Sequence, residues 1–217
     1  MKKLLFAVVA ATVKNFYMAT NSDVNVDFCG YRQGKGKYTP STYNVGSSHG
    51  GKGGACNENN IKNIRATYDN RKRPCEPGAS SVYYAGESSD GGGVVIIRTG
   101  RARIDGTITA SGGTSQNYSG AAAGGSVFLD VHRLMASQGS ISANGGSEKY
   151  TGGSCKGCGG GGRIAIWYDI DETDAAFKER VVALGGKATA EKEGVEVPEW
   201  YNGEDGTVYW KPKTGLR

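Results

Sequence analysis

Along the chain, short runs of alternating apolar and polar residues recur behind paired glycines. Gly92-Gly93 precedes Val94-Val95-Ile96-Ile97-Arg98, and Gly124-Gly125 precedes Ser126-Val127-Phe128-Leu129-Asp130. Gly161-Gly162 precedes Arg163-Ile164-Ala165-Ile166-Trp167, and Asp205-Gly206 precedes Thr207-Val208-Tyr209-Trp210-Lys211. The second glycine of each copy falls at 93, 125, 162 and 206, in steps of 32, 37 and 44 residues. A shorter motif follows the first two runs: Gly106-Thr107-Ile108-Thr109-Ala110 matches Gly139-Ser140-Ile141-Ser142-Ala143. Val181-Val182-Ala183 is a degenerate copy, and Val24-Asn25-Val26 looks like an earlier one. The unit is strand, short connection, strand, loop. That period predicts a β-solenoid, in which each coil buries its apolar face only by stacking on its neighbours. A propeller would need four strands per repeat.

Because side chains of a strand alternate between faces, the alignment predicts two inward columns. Val95, Val127, Ile164 and Val208 form one, and Ile97, Leu129, Ile166 and Trp210 the other. Facing outward are Ile96, Phe128, Ala165 and Tyr209, then Arg98, Asp130, Trp167 and Lys211. An outer face carrying Phe128, Trp167 and Tyr209 is either covered or binds something. The period breaks at Asp171–Arg180, where clustered acids and terminal bases predict a short helix capped by Asp171 or Thr173. The charged stretch 187–204 reads as a loop or hairpin insertion, and residues 1–217 read as one domain, a complete small solenoid or a fragment of a longer one. Met1-Lys2-Lys3 with Leu4 to Val13 fits either a signal peptide or a first strand. Nothing is long enough to span a membrane as a helix.

Composition agrees with this picture. The chain holds 36 glycines in 217 residues but only 5 prolines, which excludes collagen. Leu, Ile, Val and Phe are sparse, as a narrow bore requires. Paired glycines predict positive φ at the corners before strands, and Gly159–Gly162 predicts backbone-to-backbone packing. A net charge of +5 is too balanced for a charge-driven disordered chain.

Residues 45 to 168 resemble the glycine-rich parallel β-helix repeats of large secreted or cell-surface, adhesin-like proteins. The stretches carrying the resemblance are Gly46-Ser47-Ser48-His49-Gly50-Gly51-Lys52-Gly53-Gly54, Ile104–Ala110, Ile141–Gly146 and Gly159–Ile166. The resemblance implies an all-β fold, a right-handed parallel β-helix with Gly-rich loops and one short helix near 171–180. It also implies a secreted or cell-surface location, with further β-helix segments of the same polypeptide as partners, and residues 5 to 30 as the first coil.

The function expected is a non-catalytic structural or adhesive module that binds glycans through its loops or its outer aromatic face. Candidate ligand-binding residues are Phe128, Trp167, Tyr209, Tyr118 and Tyr150. The alternative is a polysaccharide-active lyase or glycosidase, which needs paired carboxylates or a metal-holding acid cluster. The strand-borne acids Asp105, Asp130 and Asp169 fall on different strands, and Asp130 is expected to face Arg98 in a surface ion pair. No cofactor or metal is expected. Cys155 and Cys158 have CxxC spacing but no second ligand pair, so they read as a local disulfide clip or as free thiols. Cys29, Cys56 and Cys75 could supply one further bridge. Arg71-Lys72-Arg73 is a basic run without a nucleic-acid-binding module, so no nucleic-acid partner is expected.

Overall fold

The computed structural model describes residues 7–32, 34–36, 38–82, 88–115, 119–150, 156–190, 194 and 196–213. Its strands, in chain order, are β1 (Val8–Met18), β2 (Asp23–Asn25), β3 (Val94–Ile104), β4 (Thr107–Thr109), β5 (Ser126–Ala136), β6 (Ser140–Ser142), β7 (Glu148–Tyr150), β8 (Arg163–Tyr168), β9 (Ile170–Thr173), β10 (Val181–Val182), β11 (Ala188–Ala190) and β12 (Thr207–Pro212). Two short helices, α1 (Glu58–Ile61) and α2 (Ala175–Glu179), complete the elements, with a 3-10 turn at Glu199–Tyr201. The fold is therefore all-β.

Every strand pairing between these elements is parallel. The largest sheet runs β1-β3-β5-β8-β12, with β9 beside the far half of β5, and the second runs β10-β6-β4-β2. Both sheets keep the register that the repeat predicts. Val9, Val95, Val127, Ile164 and Val208 are successive partners, as are Ala11, Ile97, Leu129, Ile166 and Trp210. In the second sheet Val24, Ile108, Ile141 and Val181 align. The central members of these columns share one apolar core with Ala102, Ile104, Val131 and Leu134. The end rung behaves differently: Val208 is 37% exposed, because β12 is the edge strand among the described residues.

Glycine does a different job from the one expected at the corners. The described glycines with positive φ are Gly34, Gly36 and Gly194, none of them before a repeat strand. The repeat glycines are demanded by contact instead. A Cβ on Gly125 would lie under 3.0 Å from the Gly93 carbonyl, one on Gly162 from that of Gly125, and one on Gly206 from that of Gly162. The column 93-125-162-206 is thus a stack in which each rung's carbonyl fills the space a side chain would need.

Away from the strands, the Gly-rich segments form a lattice of extended chains. Ala121 N–H donates to Gly157 O and Gly124 N–H to Gly160 O. Ala122 and Gly125 donate to Gly113 and Ala110, on a second neighbour, and Ala123 donates to Ala79 on a third. Partners repeat every third residue, the period of a polyproline-II-type chain, which makes no hydrogen bonds within itself. Residues 159–162 do the same, donating in turn to Gly146, Ser47, Glu204 and Ala143. The backbone groups are satisfied by three surrounding segments rather than by one sheet.

Three local expectations are revised. The helix is shorter than 171–180: Ile170–Thr173 pairs with Arg133–Ala136, and Asp174 caps α2 by accepting the Phe177 N–H at 2.6 Å. The stretch 187–204 is not loop from its start, since Ala188–Ala190 forms a short strand that pairs parallel with Glu148–Tyr150. Cys158 is a free, buried thiol, so the Cys155–Cys158 clip does not form; Cys155 itself lies outside the described residues. Cys56 is disulfide-bonded, whereas Cys29 and Cys75 are free.

Candidate functional site

The outer face of the main sheet is largely covered. Chain 64–77 folds over it, anchored by the Asp69 carboxylate, which accepts from the N–H groups of Asn70, Cys75 and Glu76 and from the Ser126 hydroxyl. Asp69 itself has φ of 67°, a conformation Asp tolerates better than most residues. Arg163, although buried, donates through Nε to Tyr68 O and through an Nη to Thr207. His49 is fully buried beneath this loop. Its Nδ1 donates to Gly124 O at 2.6 Å, its Nε2 faces Asp69 at 3.4 Å, and its ring stacks on Tyr68, which stacks on Tyr38. Burial opposes ionisation of Asp69, but the His49 contact and the Glu76 and Asn70 N–H groups outweigh it and hold the carboxyl below its ordinary value.

This cover removes part of the expected aromatic surface. Phe128 is only 3% exposed and meets Trp167 edge-on at 5.6 Å, so it is not available to a ligand. Trp167 is half-buried, with the Arg73 guanidinium 4.3 Å and the Lys211 ammonium 4.2 Å from its ring centre. Tyr209 is half-buried on the terminal strand. Tyr118 lies outside the described residues. Tyr150 ends β7, and its side chain is also outside the description.

The acids do not form a catalytic pair. Asp130 sits beside Arg98 in register, yet its ion pair is with Lys213 at 2.7 Å. Asp169, which falls between β8 and β9 rather than on a strand, lies 3.6 Å from the same ammonium and 2.9 Å from His132 Nδ1, so two of the three expected acids do converge. His132 and then Lys213 hold Asp169 below its ordinary value, the wrong direction for a general acid. Asp105 is bound to Arg103 at 2.6 Å, far along the sheet. No metal-ligand cluster occurs among the described residues.

A cleft that the repeat pattern did not reveal opens between the loops of successive rungs. It has a volume of about 480 Å³ and is walled by Thr114, Ser115, Ser147, Glu148, Lys149, Lys156 and Thr189. The pairing of β7 with β11 places Glu148 opposite Ala188 and so fixes one wall. Glu148 is 4% exposed, and among the described residues neither carboxylate oxygen has a partner in good hydrogen-bond geometry, the Ser115 hydroxyl being only a weak neighbour. Burial pushes its carboxyl up to about 7, against the opposing pull of Lys156 and the nearby Ser115 hydroxyl. Beside it, burial and then the Glu148 charge push the Cys158 thiol up to about 12, which leaves it unreactive as a nucleophile. The one hint in the sequence is the adjacent Glu148-Lys149 pair within an otherwise Gly- and Ser-rich loop.

No family model, curated protein or solved structure matches the chain.

Proposed function

We propose that the protein is a right-handed parallel β-helix acting as a non-catalytic, secreted or cell-surface adhesive module, and that it holds a glycan in the Glu148 cleft. The solenoid reading is supported by parallel rungs in two sheets that keep one register through four repeats. Coils of that kind make long rigid platforms whose loops carry the function. The disulfide at Cys56 favours an oxidising compartment. Further coils of the same polypeptide would continue the ladder at its open rungs.

The observation that carries the binding reading is the cleft itself. Its size suits a small ligand, and its wall combines hydroxyls, two ammonium groups and one buried carboxyl without a partner. Sugar hydroxyls both donate and accept, so a single glycan satisfies all of these groups at once. An unpaired buried carboxyl is costly until such a partner arrives. On a glycan array the wild-type protein should give neutral-glycan hits. Glu148→Leu, which keeps the volume and removes the polar atoms, should weaken them about tenfold, while Glu148→Gln should keep them. Hits indifferent to Glu148→Leu would sink the assignment of the cleft.

A polysaccharide-active enzyme is the second reading, and one observation favours it: a carboxyl near 7 is in the range of a general acid. Glu148 is the sole carboxyl among the described residues lining the cleft, where hydrolysis ordinarily calls for two. Release of reducing ends from any array hit would turn the assignment toward that reading.

A further inference from the structure

The outer face carries cations that the architecture concentrates rather than neutralises. Arg98, Asp130, Trp167 and Lys211 are successive register partners across four rungs. Asp130 is taken by Lys213, so its charge is already matched. The loop built around Asp69 projects Arg71, Lys72 and Arg73, all exposed, over the same face. Arg73 and Lys211 approach a single indole within 4.3 Å and 4.2 Å of its centre, and Arg98 lies 5.8 Å from the neighbouring Phe128 ring. None of these five cations has an acid partner among the described residues. Each cation–π contact is favourable by itself, but drawing two like charges to one ring costs repulsion that an anion would relieve.

Phe128 is buried and Trp167 already lies against two cations, so these rings offer little free face to stack on a base, as single-stranded nucleic-acid binding requires. The face reads charge alone. From Arg98 to Lys211 is three rung spacings, roughly 14 Å at the usual distance between strands. That separation exceeds a single sugar and fits a chain carrying anions at intervals.

We propose that the surface formed by Arg71, Lys72, Arg73, Arg98 and Lys211 around Trp167 binds a polyanionic polysaccharide, one bearing carboxylate or sulfate groups along its length. It is a second site, separate from the Glu148 cleft, and stands whether or not that cleft takes a neutral glycan.

The test is binding of the full chain to polygalacturonate, dextran sulfate and uncharged dextran between about 50 and about 200 mM salt. Both polyanions should bind, uncharged dextran should not, and affinity should fall steeply as salt rises. R71S/K72S/R73S should lose at least about tenfold in affinity and flatten the salt dependence. Arg98→Ser, which disturbs no loop, should give a smaller loss of the same kind, and Glu148→Leu should change nothing. Circular dichroism checks that each variant keeps its strands, and the Arg98 variant decides the matter if the loop variant unfolds. Polyanion binding that is absent, or that survives both sets of substitutions, overturns the proposal. So does tighter binding of a single-stranded oligonucleotide of equal charge, which would make the site one for nucleic acid. A neutral-glycan signal that depends on Glu148 bears only on the cleft, so either assignment can fail without the other.

Discussion

Two buried carboxyls pull the protein's acid–base behaviour in opposite directions. Asp69 is held below its ordinary value, so it contributes stability when ionised, and that contribution is lost as the pH falls through its folded value. Glu148 is raised to about 7. Between its ordinary value and 7 the unfolded chain is ionised there while the folded one is not, so stability falls as the pH rises across that window and then levels off. Denaturant unfolding from pH 3 to about pH 8 should separate the two. Asp69→Asn keeps a side chain that tolerates the left-handed backbone but loses the charge. It should cost about 2 kcal/mol at neutral pH and blunt the loss of stability in acid. Glu148→Gln should be more stable than wild type above pH 7 and no different near pH 4. A Glu148→Gln curve parallel to wild type throughout would show that the carboxyl is not buried in solution.

At the scale of strands and segments, glycine carries the architecture by its size. Gly162→Ala would drive a Cβ into the Gly125 carbonyl, which is main chain and cannot move aside, whereas at Gly113 the nearest atom to a new Cβ is 3.2 Å away. Gly162→Ala should therefore cost several kcal/mol or prevent folding, and Gly113→Ala should cost about 1 kcal/mol. Thermal unfolding of the two compares them directly, and equal costs would contradict the stacked-carbonyl arrangement. The columns of Val95, Val127 and Ile164 were legible because strand alternation is local and the repeat shows it several times. The burial of Phe128 was not, because the loop around Asp69 that lies over the same face is more than 50 residues earlier in the chain and no pattern links a loop to the face it covers. The role of the paired glycines was misread for a related reason. A position that needs positive φ and one that needs bare contact both select glycine, and only the neighbouring chain tells them apart. Glu148 escaped notice because one adjacent Glu-Lys pair in a stretch of polar residues carries no periodic signal.

The molecule as a whole is asymmetric along its stack. At one end α2 inserts Phe177, fully buried, beneath Val181 and edge-on to Trp210. At the other, β1 pairs only with β3 among the described strands and leaves Val8, Val9, Val13 and Tyr17 exposed. Between them, the lattice of extended glycine segments satisfies its backbone with almost no side chains. That arrangement has a thermal consequence. Unfolding raises the heat capacity through newly wetted apolar surface and lowers it through newly wetted peptide groups. A protein whose interior is to a large extent peptide should therefore unfold with a heat-capacity increment below the usual ~12–15 cal/mol/K per residue. Differential scanning calorimetry at several pH values measures it, and an ordinary increment would count against the lattice. Its stability curve should be broad and shallow, so that the module changes little in stability between cold and warm surroundings.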